Sequence, residues 1–241
     1  SRHHVAEDGE GFSRALDWGL RTTLLIAVPA MCGLLVLAEP LVATFFQNGQ
    51  YTAFDTHMTA IAIVALGAGV PAIALTRTLL PAFYSRQDTQ TPVRAGVAAL
   101  VVNMVFNFAL IALLFETRAP ADLQKLPWLD GIARLPGLHL GLAIASSVSN
   151  YLQFALLWRY LKRAGVYMPQ PGWTRHWLRL VLASAAMMAV LVAGIWLWPD
   201  WTGVSIAARV WHLAILVLAA SATYVAALFA GGFRIRDLHA A

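Results

Sequence analysis

The chain has 241 residues, of which 59% are hydrophobic and 12% charged, and a net charge of +5. Soluble domains carry about 25% charged residues, so an ordinary globular domain is excluded. A membrane span takes roughly 20 apolar residues, and six such stretches fill most of the length, leaving no room for a sizeable soluble domain. The fold class that follows is all-α: a polytopic integral membrane bundle with six transmembrane helices.

Residues 1–17 are polar, with Arg2, His3, His4, Glu7, Asp8, Glu10, Arg14 and Asp17. Phe12, Leu16 and Leu20 recur every four residues, which predicts an amphipathic helix over 10–17 leading into the membrane. His3 and His4 lack a further ligand at metal spacing and read as solvated. The first span covers 18–37; Pro29 should kink it, and Glu39-Pro40 should end it. Cys32, the single cysteine, lies inside it and reads as a buried, inert thiol. A turn follows with Asn48-Gly49 at its tip. Thr52 with Asp55 resembles a capping box with Asp in place of Glu.

The second span covers 57–80. Gly67, Gly69 and Pro71 predict close helix contact or a bend within it. Arg77 lies one turn before Pro81 and has two readings. An arginine near a span end snorkels to headgroups, and one that faces a cavity is a substrate contact. Residues 81–93 form a polar hinge. Thr91 and Pro92 read as N-cap and first position of the next helix. Arg86 and Asp88 require water, headgroups or each other, and Phe83 and Tyr84 suit the apolar-to-polar boundary.

The third span covers 92–115. Gly96, Ala99, Asn103 and Asn107 share one face, which should turn towards protein or a cavity, away from lipid. Residues 116–137 read as a loop that could hold a short interfacial helix over 123–135. The fourth span, 138–161, carries His139, Ser146, Ser149, Asn150 and Gln153 as a stripe at helical spacing. The amides on these two spans serve either hydrogen bonds between helices or contact with a polar substrate. The fifth span, 177–198, and the sixth, 206–229, have no polar stripe; His212 and Tyr224 are isolated in sequence. Tryptophans collect at their ends, as interface anchors do.

Alternating the loops places residues 1–21, the hinge, the 159–179 region and the tail on one side. The other side holds only Arg118, Lys125, Arg134 and Arg209 among the lysines and arginines. By the positive-inside bias, both ends of the chain are cytoplasmic. The sequence has no Walker glycine loop, zinc spacing, paired intramembrane carboxylates or cysteine chemistry. Neither a cofactor nor a metal is expected, and basic residues beside aromatics occur only at interfaces, so nucleic acid is not a partner.

The hinge also carries a resemblance. Phe83-Tyr84, Asp88-Thr89 and Thr91-Pro92-Val93, with Arg86 between them, resemble the signature of the MurJ (MviN) family of lipid II flippases, within the MOP exporter superfamily. Gln90 stands where many members have arginine. Weaker likenesses flank it, at Phe45–Thr52 and at Pro169-Gln170-Pro171-Gly172-Trp173. Ser1-Arg2 resembles the end of a Leu-Ser-Arg motif that closes the family's eighth span, which implies a carboxy-terminal portion holding spans nine to fourteen. The resemblance implies a transporter of the bacterial inner membrane, not an enzyme. Its partners would be lipid II or a similar polyprenyl-pyrophosphate-linked sugar, membrane lipids and an amino-terminal lobe of the same protein. Membrane potential or an ion gradient would drive it.

In that reading 1–17 is a cytoplasmic segment and 18–161 a four-helix portion of the second transport lobe. Residues 162–176 form a cytoplasmic loop, 177–229 two additional lipid-facing helices, and 230–241 a cytoplasmic tail. Arg77, Asn103, Asn107, Asn150 and Gln153 are the candidate substrate contacts. The alternative within transport is an exporter of another polyprenyl-linked polysaccharide, or of drugs.

Overall fold

The computed structural model describes residues 2–118, 125, 127 and 138–234. Most of the described residues are helical, and no strand occurs among them. The helices are α1 (Arg2–Phe45), α2 (Ala53–Gly67), α3 (Val70–Tyr84), α4 (Gln90–Arg118), α5 (Leu138–Arg163), α6 (Trp173–Leu197) and α7 (Ile206–Ala230). Among the described residues six segments are long and apolar enough to cross a membrane, with α2 and α3 together forming the second. The expected loop beyond Arg118 and the short helix over 123–135 lie outside the described residues, apart from positions 125 and 127, as does the tail from 235.

α1 departs from expectation. It runs unbroken through the polar start and past Glu39-Pro40 to Phe45. A proline inside a helix costs about 3 kcal/mol. Here the apolar stripe continues on both sides of it: Leu37, Ala38, Val42 and Ala43 are all buried. Burial of that stripe offsets the lost backbone bond, and the Thr44 hydroxyl donates to Pro40 O at 2.6 Å. At Pro29 the missing N–H leaves Leu25 O without its helical donor. The Tyr224 hydroxyl of α7 supplies one at 2.7 Å. Tyr224, isolated in sequence, is therefore a buried crosslink. His212 also has partners: it stacks on Trp198, with ring centroids 4.4 Å apart, and meets Trp201 edge-on.

The second span breaks where Gly67, Gly69 and Pro71 predict a bend. Pro71 cannot donate to the preceding turn, and Gly69 N turns to Leu66 O at 2.9 Å. Ala65 O thereby loses its helical donor, and Ala68 O receives no backbone bond among the described residues. Both are met from α5, by the Ser147 hydroxyl and by the Tyr151 hydroxyl at 2.9 Å. Gly69 permits that approach: a β-carbon there would lie 2.8 Å from Ser147 Oγ and 3.1 Å from its Cα. The capping box at Thr52 and Asp55 forms as expected at the start of α2.

α1 runs through the middle of the molecule. It packs on α2 and α3 on one side and on α6 and α7 on the other. α5 packs on α2, α3 and α4, while α4 rests mainly on α5. Leu20, Leu79, Leu157, Leu180 and Leu191 are almost wholly buried in the shared core. At one end of the bundle Arg209 is 6% exposed. It donates to Ala43 O and Thr202 O at 2.7 Å, Val204 O at 3.0 Å and Gln47 O at 3.2 Å. Read in sequence as a loop charge, Arg209 instead caps the carboxy-terminal end of α1, where the helix dipole favours a cation.

Replacing Gly69 by leucine should force α5 off the α2–α3 break, because the clash includes backbone. The expected cost is about 1–3 kcal/mol, read as a lower midpoint of thermal unfolding in detergent. An unchanged midpoint would show that the break tolerates a wider gap.

Candidate functional site

The hinge is built by two backbone devices. Asp88 N donates to Phe83 O at 3.0 Å and Gln87 N to Tyr84 O at 3.0 Å, the paired closure of a Schellman motif. Gln87 occupies the left-handed region, with φ of 57°, where glycine is the usual residue. The other side of the hinge corrects the expected cap. α4 begins at Gln90, before Thr91 and Pro92. Thr89 O accepts from Val93 N at 3.4 Å, so Pro92 falls in the first turn, where a missing N–H leaves nothing unsatisfied. The capping oxygen is Asp88 Oδ1, which accepts from Thr91 N at 3.0 Å. Hydrogen bonds from the Thr91 side chain and backbone hold the Asp88 carboxyl below its ordinary value of 3.8, with a smaller contribution from the charge of Arg86. Phe83 and Pro92 are buried, whereas Tyr84 and Arg86 are exposed.

Arg77 is exposed on the outer face of α3, in line with Ile73 and Tyr84. It has no hydrogen-bond or ion-pair partner among the described residues. The amides form a seam between α4 and α5. Asn103 Nδ2 donates to Ser149 Oγ at 3.1 Å and lies 3.3 Å from Ser146 Oγ. Asn107 Nδ2 donates to Asn103 Oδ1 at 2.7 Å. Asn107 Oδ1 is buried with no partner among the described residues. Gln153 lies over Gly96, where a β-carbon would sit 3.5 Å from Nε2. Asn150 is half-buried on the same helix and does not join this chain of bonds. His139, the outermost of the stripe, turns the other way and pairs with Met58 O at 3.0 Å. No group of three or more His, Cys, Asp or Glu that could hold a metal ion occurs among the described residues.

Sequence reasoning missed a dense polar contact. Asp17 is 2% exposed. Its Oδ1 accepts from the Tyr167 hydroxyl at 2.7 Å, Trp173 Nε1 at 2.8 Å and Gln170 N at 3.2 Å. Its Oδ2 pairs with Arg21 Nε at 2.7 Å. Arg21 Nη2 donates onward to Gln170 O and Pro171 O at 3.0 and 2.9 Å, and its guanidinium lies 5.1 Å from the centroid of the Trp173 ring. The loop between α5 and α6 is thereby latched to α1. Burial and the bond to Asp17 push the Tyr167 phenol up, so the donor stays protonated through the physiological range. The i, i+4 spacing of Asp17 and Arg21 was the available signal.

The loop in this latch includes Pro169–Trp173, and the hinge carries the longer pattern. A sequence model of the family described as Lipid II flippase MurJ matches residues 1–118. A probable lipid II flippase MurJ of Vibrio cholerae is 35% identical over 241 residues, covering 100% of this chain and 42% of the relative. The chain belongs to the MurJ family. Lipid II flippase MurJ of Burkholderia cenocepacia is 32% identical over 240 residues, with 97% and 41% covered. A probable lipid II flippase MurJ of Haemophilus influenzae is 32% identical over 244 residues, with 99% and 43% covered. The chain spans about two fifths of the length of these relatives and matches their carboxy-terminal part.

Two outcomes follow. Asn103→Ala and Ser149→Ala in a double-mutant cycle should show coupling of ~0.6–1.7 kcal/mol, the range for hydrogen bonds between membrane helices; simple additivity would mean the seam adds nothing to stability. The Asp88 cap stabilises through a carboxyl whose folded value is depressed. Its contribution is therefore complete above about pH 3.8 and lost as pH falls through the lower folded value. Hydrogen exchange at the Thr91 amide should accelerate over that acid window beyond the intrinsic pH trend, and the excess should vanish in Asp88→Asn.

Proposed function

We propose that this chain forms part of a flippase that moves lipid II, the lipid-linked peptidoglycan precursor, from the inner to the outer leaflet of the bacterial cytoplasmic membrane. The observation that carries this reading is the relationship to proteins named lipid II flippase along the whole 241 residues. The work is transport, not bond chemistry. A charged, sugar-bearing headgroup must cross hydrocarbon while its prenyl tail stays in lipid. Alternating access between two helical lobes provides a polar route for the headgroup.

The described chain supplies one side of such a route. Residues 18–161 form the four-span portion of one lobe, with the broken second span at its centre. Arg77 presents an exposed charge on that broken span, facing away from the rest of the chain, and is assigned to the pyrophosphate or sugar headgroup. Asn103 and Asn107 hold α4 to α5 and shape the lobe; Asn150 and Gln153 are secondary contacts at most. Residues 177–229 are the two helices beside which the tail travels. Both ends of the chain are cytoplasmic, following the basic side of the loops. Each charge carried through the whole membrane field contributes about 2.3 kcal/mol per 100 mV, so voltage or an ion gradient is sufficient to drive the cycle without a cofactor.

The test depletes the full-length protein in cells and quantifies lipid II in each leaflet. Lipid II should accumulate on the cytoplasmic side, and wild-type protein should reverse this. Arg77→Ala should slow recovery on the order of tenfold, as expected for one lost charge-assisted contact, with Arg77→Lys in between. Accumulation of a different lipid-linked glycan would reassign the substrate. Unchanged leaflet distributions, in cells without a second flippase, would refute transport.

A further inference from the structure

A second feature lies apart from Arg77 and the amide seam. Between residues 14–25 of α1, the start of α6 and the end of α7 is a cavity of about 700 Å³. Among the described residues its wall carries five arginines, Arg14, Arg21, Arg175, Arg179 and Arg234, and one carboxylate, Asp17. That carboxylate is already committed to Arg21, Tyr167 and Trp173. A cleft lined mainly by one sign of charge raises the local concentration of counter-ions.

The geometry points inward. Asp17 and the loop carbonyls fix Arg21 through Nε and Nη2, and Nη1 makes no hydrogen bond to a described residue. Arg179 is held by its bond from Nη2 to Gly232 O at 2.9 Å. A β-carbon at Gly232 would lie 3.3 Å from Arg179 Nη2 and 3.7 Å from Arg175 Nη2, so both guanidiniums converge on the same mouth. Gly232 has φ of 79°, a conformation that suits glycine and keeps this mouth clear. Trp18 and His176 also line the cavity, and their Nε1 and Nε2 atoms are buried behind its surface with no partner among the described residues. Buried polar atoms without partners are uncommon in folded proteins. The amino-terminal end of α6 opens here without a side-chain cap, so the positive end of its dipole adds to the field.

We infer that this cavity binds a phosphate group, and that the phosphate belongs to the headgroup of an anionic membrane lipid. Phosphate matches the wall because its oxygens accept from several guanidinium forks together. A lipid source matches the position, at the end of membrane-spanning helices on the basic side of the chain, where pockets of this kind take anionic headgroups. Leu25 and Phe233 give the cavity apolar wall on which an acyl chain could leave. The inference does not rest on flippase activity, and its readout is binding.

The experiment uses the full-length protein in phosphatidylcholine nanodiscs, titrated with a fluorescent phosphatidylglycerol. Arg175→Gln and Arg14→Gln should each weaken binding on the order of tenfold, the expected loss for one hydrogen bond to a charged group. Phosphatidylcholine carrying the same fluorophore should bind no better to wild type than to either variant. Loss in the variants without displacement by millimolar inorganic phosphate assigns the site to a lipid headgroup. Displacement by inorganic phosphate alone supports the phosphate site but overturns its lipid source. Equal phosphatidylglycerol binding by wild type and both variants, with unchanged unfolding midpoints, overturns the proposal. Leaflet distributions of lipid II measured in the same variants separate this result from the transport reading.

Discussion

Inside hydrocarbon a backbone carbonyl has no water to turn to, and this structure depends on how its freed carbonyls are met. Helices satisfy most of them internally. The prolines and glycines within the spans do not allow that everywhere, and side chains from other helices step in. Tyr224 meets Leu25 O beside Pro29. Ser147 and Tyr151 meet Ala65 O and Ala68 O at the break between α2 and α3. Arg209 meets Ala43 O at the end of α1. These bonds also choose which helices are neighbours, because each joins two segments that a uniform apolar surface would leave free to slide.

The same logic explains why the polar groups differ in character along the bundle. At its centre the donors are neutral hydroxyls and amides, which keep little desolvation cost once paired. At its ends they are charged. Arg209 holds one end by donating four hydrogen bonds to carbonyls. Asp17 holds the other by accepting from a phenol, an indole and a backbone amide while pairing with Arg21. Breaking one member of such a buried set leaves the others uncompensated, so these clusters fix geometry more than they add net stability.

Around this frame, the family relationship gives the chain its setting, and the exposed features give it its proposed work. Arg77 stands on the outside of a broken span, and the basic cavity stands where three helix ends meet. They lie on different elements, and neither belongs to the other's hydrogen-bond network. A substrate contact and a resident headgroup are therefore separable readings of one scaffold.

The sequence by itself determined the class of the molecule, the six apolar spans, the bend at Gly67–Pro71, the capping box at Thr52 and the polar hinge. Each is a local property: mean apolarity, a missing N–H, a residue free to turn, a side chain reaching its own backbone. It misjudged the end of α1 and the start of α4, because burial of Val42 and Ala43 outweighs one proline and because Asp88 reaches Thr91 before the expected cap. Only the tertiary structure decided that Tyr224 and Arg209 are anchors and that Asp17 is the hub of a latch. Their partners lie far along the chain, 199 residues away for Tyr224, 166 for Arg209 and 150 for Asp17. Periodicity within a segment carries no trace of a bond whose other half belongs to a different helix.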